Sequence, residues 1–186
     1  MPSVRLQPVR AKESCPPFQR WVTATKPIES LRDGRKLMHA FTNSLYHCVW
    51  STKERRPVLT PEIRARLWPY LGGIARANKI SALAVGGVAN HVHVLIAIPA
   101  TMTISKAVQL LKGNSSKWLH EEFGELRAFG WQEGYGAFSI GISGVAATER
   151  YIAQQEEHHR KKTFQEEFKT FLVKHGHQYD KQDFSD

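Results

Sequence analysis

Apolar and polar positions along this chain fall into short strand-like runs and longer helical repeats. From Phe41 to Trp50 the run FTNSLYHCVW is rich in aromatic and β-branched residues and predicts a strand. A charged loop, 51–57, follows. Thr60, Pro61 and Glu62 then have the order of an N-cap, a first-turn proline and a first-turn acid. Ile63, Leu67, Tyr70, Leu71 and Ile74 recur at helical spacing and carry that helix to about Asn78. Ile80 to Val88 predicts a second strand, and Gly86-Gly87 marks a bulge or turn before a third strand that runs to about Ile98. Thr103 caps a second helix. Its inward positions are Ile104, Ala107, Val108 and Leu111, and it continues through Gly113 to Phe123 with Trp118 and Leu119 buried. Phe129 to Ile142 predicts a further strand, in which Gly134, Gly136 and Gly141 allow a bend or a close approach by another segment. Ser143 is a candidate N-cap for a helix from Val145 to about His159, and Phe164 to His175 predicts a last amphipathic helix. This order predicts an α+β fold, an antiparallel sheet with helices packed on one face, ferredoxin-like in arrangement.

Composition places the chain among ordinary single-domain proteins, with 186 residues, 41% hydrophobic and 23% charged. No apolar run reaches the roughly 18 residues that span a bilayer, and the N-terminus has no continuous apolar stretch of a secretory signal. Cys15 and Cys48 form no CxxC, which fits a reducing cytoplasm. The formal charge of +9 points to a polyanionic partner. Residues 1–38 hold eight basic against three acidic residues and so carry more than half of it. Five prolines interrupt that segment and it lacks periodic patterning, so it is expected to be a disordered basic arm. The folded domain is expected over 39–180, with a tail at 181–186.

The chemistry concentrates in the third strand. His91 and His93 sit in the apolar run AVGGVANHVHVLIAIP, and a side-chain period of two puts both imidazoles on one face. Two histidines at that spacing can chelate one cation. Alone, His-x-His is a short and unspecific pattern. Downstream, the helical stretch ERYIAQQEEHHRKK brings Tyr151 beside Gln155 at i+4, with Gln154 also close at i+3. A glutamine carbonyl suits a hard cation such as Mg²⁺ or Mn²⁺. A cation beside a tyrosine permits attack on a phosphodiester and a covalent phosphotyrosine.

These residues together resemble the single-tyrosine HUH transposases of the insertion-sequence-200 type. The resemblance rests on His91-Val92-His93, the preceding Gly86-Gly87, Tyr151 with Gln155 in YIAQQEEHH, and the stretches LYHCVWSTKERRPVL and WQEGYGAFS, and it runs from about Phe41 to Tyr179. It implies an RRM-like HUH fold that cleaves and rejoins single-stranded DNA hairpins at element ends in the prokaryotic cytoplasm. His91, His93 and Gln155 become the ligands of Mg²⁺ or Mn²⁺, and Tyr151 the nucleophile that forms a 5′-phosphotyrosine. It further implies a homodimer whose tyrosine helix acts in trans. One departure is Asn90, where the family often has an acidic residue.

Lys53, Arg55, Arg56, Lys112 and Lys117 are the candidate phosphate contacts of the folded part. Trp131 and Tyr135 are either stackers for unpaired bases or core aromatics. Two other readings compete with the transposase. One is a DNA-hairpin-binding protein that has lost its chemistry, suggested by Asn90. The other is a zinc hydrolase using His91, His93 and either His47 or His120.

Overall fold

The structure, a computed structural model, describes residues 42–160 and 162–178. The expected arm at 1–38 and tail at 181–186 lie outside the described residues. Four strands, β1 (Leu45–Ser51), β2 (Ser81–Val88), β3 (His91–Ala97) and β4 (Gly136–Ser139), form one antiparallel sheet in the order β2-β3-β1-β4. Five α-helices accompany it: α1 (Pro61–Ala77), α2 (Ile104–Glu122), α3 (Val145–Ala153), α4 (Gln155–His159) and α5 (Phe164–Lys174).

The alternation read from the sequence assigns the two faces of the sheet. Cys48 and Trp50 of β1 and Val92, Val94 and Ile96 of β3 point to α1 and α2, where Leu67, Leu71, Leu111 and Leu119 complete a dry core. Both helices start where the sequence places them. Thr60 Oγ1 accepts from the Ile63 amide and Thr103 Oγ1 from the Lys106 amide. Trp118 is half-buried rather than buried, because its ring stacks on Tyr70 at 4.4 Å on the rim of the core.

The opposite face carries His47, His91, His93 and Leu95, and α3, α4 and α5 cover it. Three predicted elements take a different form here. The strand expected over 129–142 is short. Only Gly136–Ser139 pairs with β1, with an isolated bridge between Thr52 and Trp131. The helix expected over 145–159 breaks at Gln154 (φ −99°, ψ 14°), which closes α3 and opens α4. Ser143 does not cap it; the N-cap is Gly144, with no side-chain bond.

The glycine pair does not form the hairpin turn, which falls at Ala89-Asn90. Gly86 lies beside His93 in the register, and the backbone of α3 fills the space a side chain would take. A Cβ at Gly86 would stand 2.6 Å from the Ile152 carbonyl oxygen and 2.8 Å from Ile152 Cγ2. Gly136 plays the same part for α5, since a Cβ there would meet Phe168 Cε2 at 2.6 Å. Gly86→Ala therefore lifts α3, and Tyr151 with it. Overpacking of this kind costs about 1–3 kcal/mol, and a displacement of about 1 Å at a reacting group costs about 100-fold in rate. The expected result is a lower melting temperature together with a disproportionate loss of DNA cleavage, measured on the same preparation.

Candidate functional site

The site lies where the histidine face meets the C-terminal helices. His91 and His93 project from β3, Tyr151 from α3, Gln155 and His159 from α4, and Glu167 from α5. Both β3 histidines are fully buried, and Gln155 and Glu167 nearly so. A thick covering of aromatic residues explains how the helices hold there. Phe171 packs edge-on to His47 and stacks on Phe138, while Phe164 lies 4.7 Å from the His91 ring. The break at Gln154 separates the two glutamines. Gln154 is exposed, whereas Gln155 turns inward with its Oε1 3.4 Å from His91 Nε2. Of the pair left open by spacing, Gln155 is the one in the site.

Glu167 is the centre of the arrangement. Its Oε2 lies 3.5 Å from His91 Nε2, 3.4 Å from His93 Nε2 and 2.9 Å from His159 Nε2. Its Oε1 accepts from the Tyr151 hydroxyl and, at 3.0 Å, from Gln155 Nε2. Tyr151 thus meets the histidine cluster of its own chain, with its ring 5.8 Å from that of His93.

The outer nitrogens of the two histidines are held from behind. Asn90 Oδ1 stands 2.8 Å from His91 Nδ1, and His47 Nε2 stands 2.9 Å from His93 Nδ1. A hydrogen bond to Nδ1 fixes the ring so that the Nε2 lone pair faces the site, which is the usual way a ligating histidine is oriented. Asn90 therefore performs an orienting task as a neutral amide in the place where an acid was expected. His47 stands behind His93 rather than beside it, and His120 bonds the Phe129 carbonyl at 2.7 Å. Neither supplies a third ligand of the kind the zinc reading requires.

Whether these residues suit a cation can be tested on the geometry. His93 Nε2 is buried without a hydrogen-bond partner. An orphaned ring nitrogen in a dry interior is costly unless something fills its lone pair. One ligand atom from each of His91, His93, His159 and Glu167 lies within 4.8 Å of all the others. Two atoms each about 2.1 Å from one ion stand about 3.0–3.4 Å apart, depending on the angle between them. The spacings around Glu167 Oε2 are of that size, so the donor set fits a divalent ion.

Burial controls the protonation of the cluster. It holds His93 down to about 3, with His159 and His158 adding to the effect. It also holds His91 and His47 well below the usual imidazole value, with His93 reinforcing both. Burial pushes the Glu167 carboxyl up to about 8. The histidines are thus neutral and able to donate lone pairs at neutral pH.

The same shifts set the stability profile of the metal-free protein. As pH falls through 6.5 the unfolded chain takes up protons that the folded histidines refuse, so stability is lost. Glu167 acts in the opposite sense. Its raised value favours the folded state fully below 4.5, and that contribution is lost as pH rises towards 8. Between 6.5 and 4.5 the three histidines outweigh the one glutamate. For His93 alone the displacement from 6.5 to about 3 amounts to about 5 kcal/mol by pH 3. Melting in EDTA is expected to show a steep fall in stability below about pH 6.5; a flat profile from pH 8 to 4 would contradict this account of the cluster.

The candidate DNA contacts divide. Lys112 is half-buried, and its ammonium bonds the carbonyls of Gln132, Glu133 and Gly134, so it ties down the loop before β4. Lys53 and Arg56 line a shallow cavity of about 190 Å³ with Thr52 and Phe129. Arg55 lies with them in the turn after β1, and Lys117 is exposed on α2, 3.9 Å from Glu121. Trp131 is a core aromatic, edge-on to Trp50 and bonded through Nε1 to Ser115 Oγ, while Tyr135 remains exposed. A second cavity of about 360 Å³ opens directly onto Tyr151 and is lined by Thr148, His158, Lys162, Thr170 and Lys174.

The family described as "Transposase IS200 like" matches residues 40–155. The chain belongs to the IS200-like transposase family. The transposase of insertion sequence element IS200 from Salmonella typhimurium is 33% identical over 131 residues, which cover 67% of this chain and 85% of that one. The ISDra2 transposase TnpA from Deinococcus radiodurans is 26% identical over 136 residues, covering 70% and 94% of the two chains. Among solved structures, a transposase-type protein from Deinococcus radiodurans R1 aligns with a TM-score of 0.53 and 26% identity, over 67% of this chain and 98% of that one. A REP-associated tyrosine transposase bound to a REP hairpin aligns with a TM-score of 0.50 at 14% identity, over 69% and 74%, and shares the fold. The antiparallel sheet with packed helices is that of the HUH transposases. The family match reaches Tyr151 and Gln155 but ends before His159 and Glu167.

His159 and Glu167 are the site residues that the sequence reading missed. The sequence does hold a signal for the second. Phe164, Phe168 and Phe171 form the apolar stripe of the last helix, and Glu167 lies on that same face. A lone carboxylate on an apolar face needs a partner, and here Tyr151, Gln155 and His159 all hydrogen-bond it.

Proposed function

We propose that this transposase cleaves and rejoins single-stranded DNA at hairpin-bearing element ends through a 5′-phosphotyrosine at Tyr151, with a divalent cation, Mg²⁺ or Mn²⁺, held at His91, His93 and Gln155. The observation that carries this reading is the placement of the Tyr151 hydroxyl within one carboxylate of the orphaned His93 Nε2, in the lining of a cavity of about 360 Å³.

The phenol oxygen attacks the scissile phosphorus. The phenol gives up its proton as the new bond joins Tyr151 to the 5′-phosphate, the P–O3′ bond breaks, and the 3′ oxygen takes up a proton and leaves as a hydroxyl. A bound cation supplies charge stabilisation at the phosphoryl oxygens. The chain's own residues do the rest. His47 and Asn90 keep the imidazoles in register, Phe171 and the His47 ring hold the tyrosine ring edge-on, and Lys162 and Lys174 give the cavity a basic mouth for the strand. Energy retained in the phosphotyrosine permits rejoining by a second 3′-hydroxyl.

Lys53, Arg55, Arg56 and Lys117 are the further phosphate contacts in this reading, and Lys112 serves the β4 loop instead. The family resemblance supports a homodimer with exchange of tyrosine helices in trans. The contact between Tyr151 and its own chain's Glu167 supports a cis arrangement before any exchange. Action on chromosomal or element DNA places the protein in the cytoplasm, and no helix among the described residues is long and apolar enough to cross a membrane.

The test is covalent capture. Single-stranded oligonucleotides from the DNA flanking the gene are incubated with protein and Mg²⁺ or Mn²⁺ and run on a denaturing gel. A slow-migrating protein–DNA species that vanishes in EDTA is the expected result. Salt-sensitive binding of the same strands without any covalent species would instead support the hairpin-binding alternative.

A further inference from the structure

The ligand set taken over from the family does not include Glu167, the carboxylate at the centre of this pocket. Glu167 is buried in an apolar helix face, and its Oε2 stands at ligand spacing from three imidazole nitrogens. A structural carboxylate would be expected to satisfy its neighbours. Instead His93 Nε2 remains without a hydrogen bond at 3.4 Å from it. Of the three imidazoles only His159 hydrogen-bonds that oxygen, at 2.9 Å, while one ligand atom from each of His91, His93, His159 and Glu167 lies within 4.8 Å of all the others.

We propose that Glu167 is itself a ligand of the cation, through Oε2, and that His159 joins His91, His93 and Gln155 as a further neutral ligand, so that the ion fastens α5 across the nucleophile. The inference rests on the metal-dependent reading above and adds two residues beyond the family's matched range. The other carboxylate oxygen keeps its two donors. Oε1 holds the Tyr151 hydroxyl and the Gln155 amide, which makes Gln155 a positioning residue for Glu167 as well as a neighbour of His91.

Two consequences follow from the chemistry of the donors. A site with its own carboxylate, which loses its proton as the ion binds, takes up a divalent ion without help from a DNA phosphate. A set with three imidazoles beside the oxygens of Gln155 and Glu167 favours first-row transition ions over Mg²⁺, because imidazole nitrogen is a poor partner for Mg²⁺.

The experiment titrates Mn²⁺ into the full chain without DNA, followed by calorimetry and by the loss of the free-ion paramagnetic resonance signal. Wild type is expected to bind one Mn²⁺ per chain and to keep it in a tenfold excess of Mg²⁺. Glu167→Gln keeps the shape and removes the anionic ligand; it is expected to weaken Mn²⁺ at least tenfold and to shrink the rise in melting temperature that Mn²⁺ gives wild type. His159→Gln, at the edge of the site, is expected to weaken it as well and serves if Glu167→Gln does not fold. His91→Ala separates the two levels. Loss of Mn²⁺ in His91→Ala with wild-type binding in Glu167→Gln would overturn the role of Glu167 and leave the histidine site standing. Wild-type binding in both variants, or no binding by wild type, would overturn the proposal; the former would also remove the metal site from the proposed function.

Discussion

Tyr151→Phe is expected to abolish the covalent protein–DNA species and reduce strand cleavage to background, a loss of more than about 1000-fold, while DNA binding stays within about twofold. Removal of a covalent nucleophile from a site that otherwise remains assembled gives losses of this order or larger. The substitution is clean here because the ring carries the packing. Its contacts with His47, His93 and Phe171 are all made by ring atoms, and only the hydroxyl bond to Glu167 is lost. Cleavage assays on the variant, with binding followed separately by anisotropy, distinguish a lost nucleophile from a lost fold. Residual covalent product in Tyr151→Phe would move the nucleophile elsewhere.

His93→Ala carries the second large effect. It removes the one buried ring nitrogen of the cluster that has no other partner, and it leaves His47 Nε2 without the ring that it bonds. The expected outcome is cleavage no faster than wild type in EDTA, with no recovery on adding Mn²⁺. His91→Ala is expected to behave alike, since it removes the proposed ligand, the imidazole that Asn90 holds. Both variants lose a buried ring in a packed interior and should also melt lower. The diagnostic comparison is therefore metal response. Wild type is expected to cleave faster with added metal, and the two variants should show the same low rate with or without it. A variant that kept its metal response would show that the histidine face is structural.

Much of this site was legible before any coordinates. The period of two in His91-Val92-His93 placed both rings on one face, and the sheet keeps them there because Val92, Val94 and Ile96 are needed on the other. Capping chemistry fixed the starts of α1 and α2 to the residue, at Thr60 and Thr103. The strand before α3 was harder to read. Its aromatic and glycine content resembles a long strand, but Trp131 is drawn into the core beside Trp50 and Lys112 clamps the following carbonyls, so only four residues pair. The kink at Gln154 left no local mark either, as the stretch has uninterrupted helical propensity and yields only to the docking of Gln155 against His91 and Glu167. Glu167 itself depends on tertiary contacts. Periodicity puts it on the apolar face of α5, and only the folded chain shows that this face lies over β3.

The measurement closest to the central claim is the chemical identity of the protein–DNA bond. The captured species can be digested with nuclease and trypsin and the modified peptide sequenced by mass spectrometry. Cleavage after Arg150 and Arg160 isolates YIAQQEEHHR, in which Tyr151 is the sole tyrosine. A nucleoside 5′-phosphate on Tyr151 of that peptide, formed only when metal is present, is the predicted result. A modified residue anywhere else, or cleaved DNA with both ends free and the peptide unmodified, would contradict it.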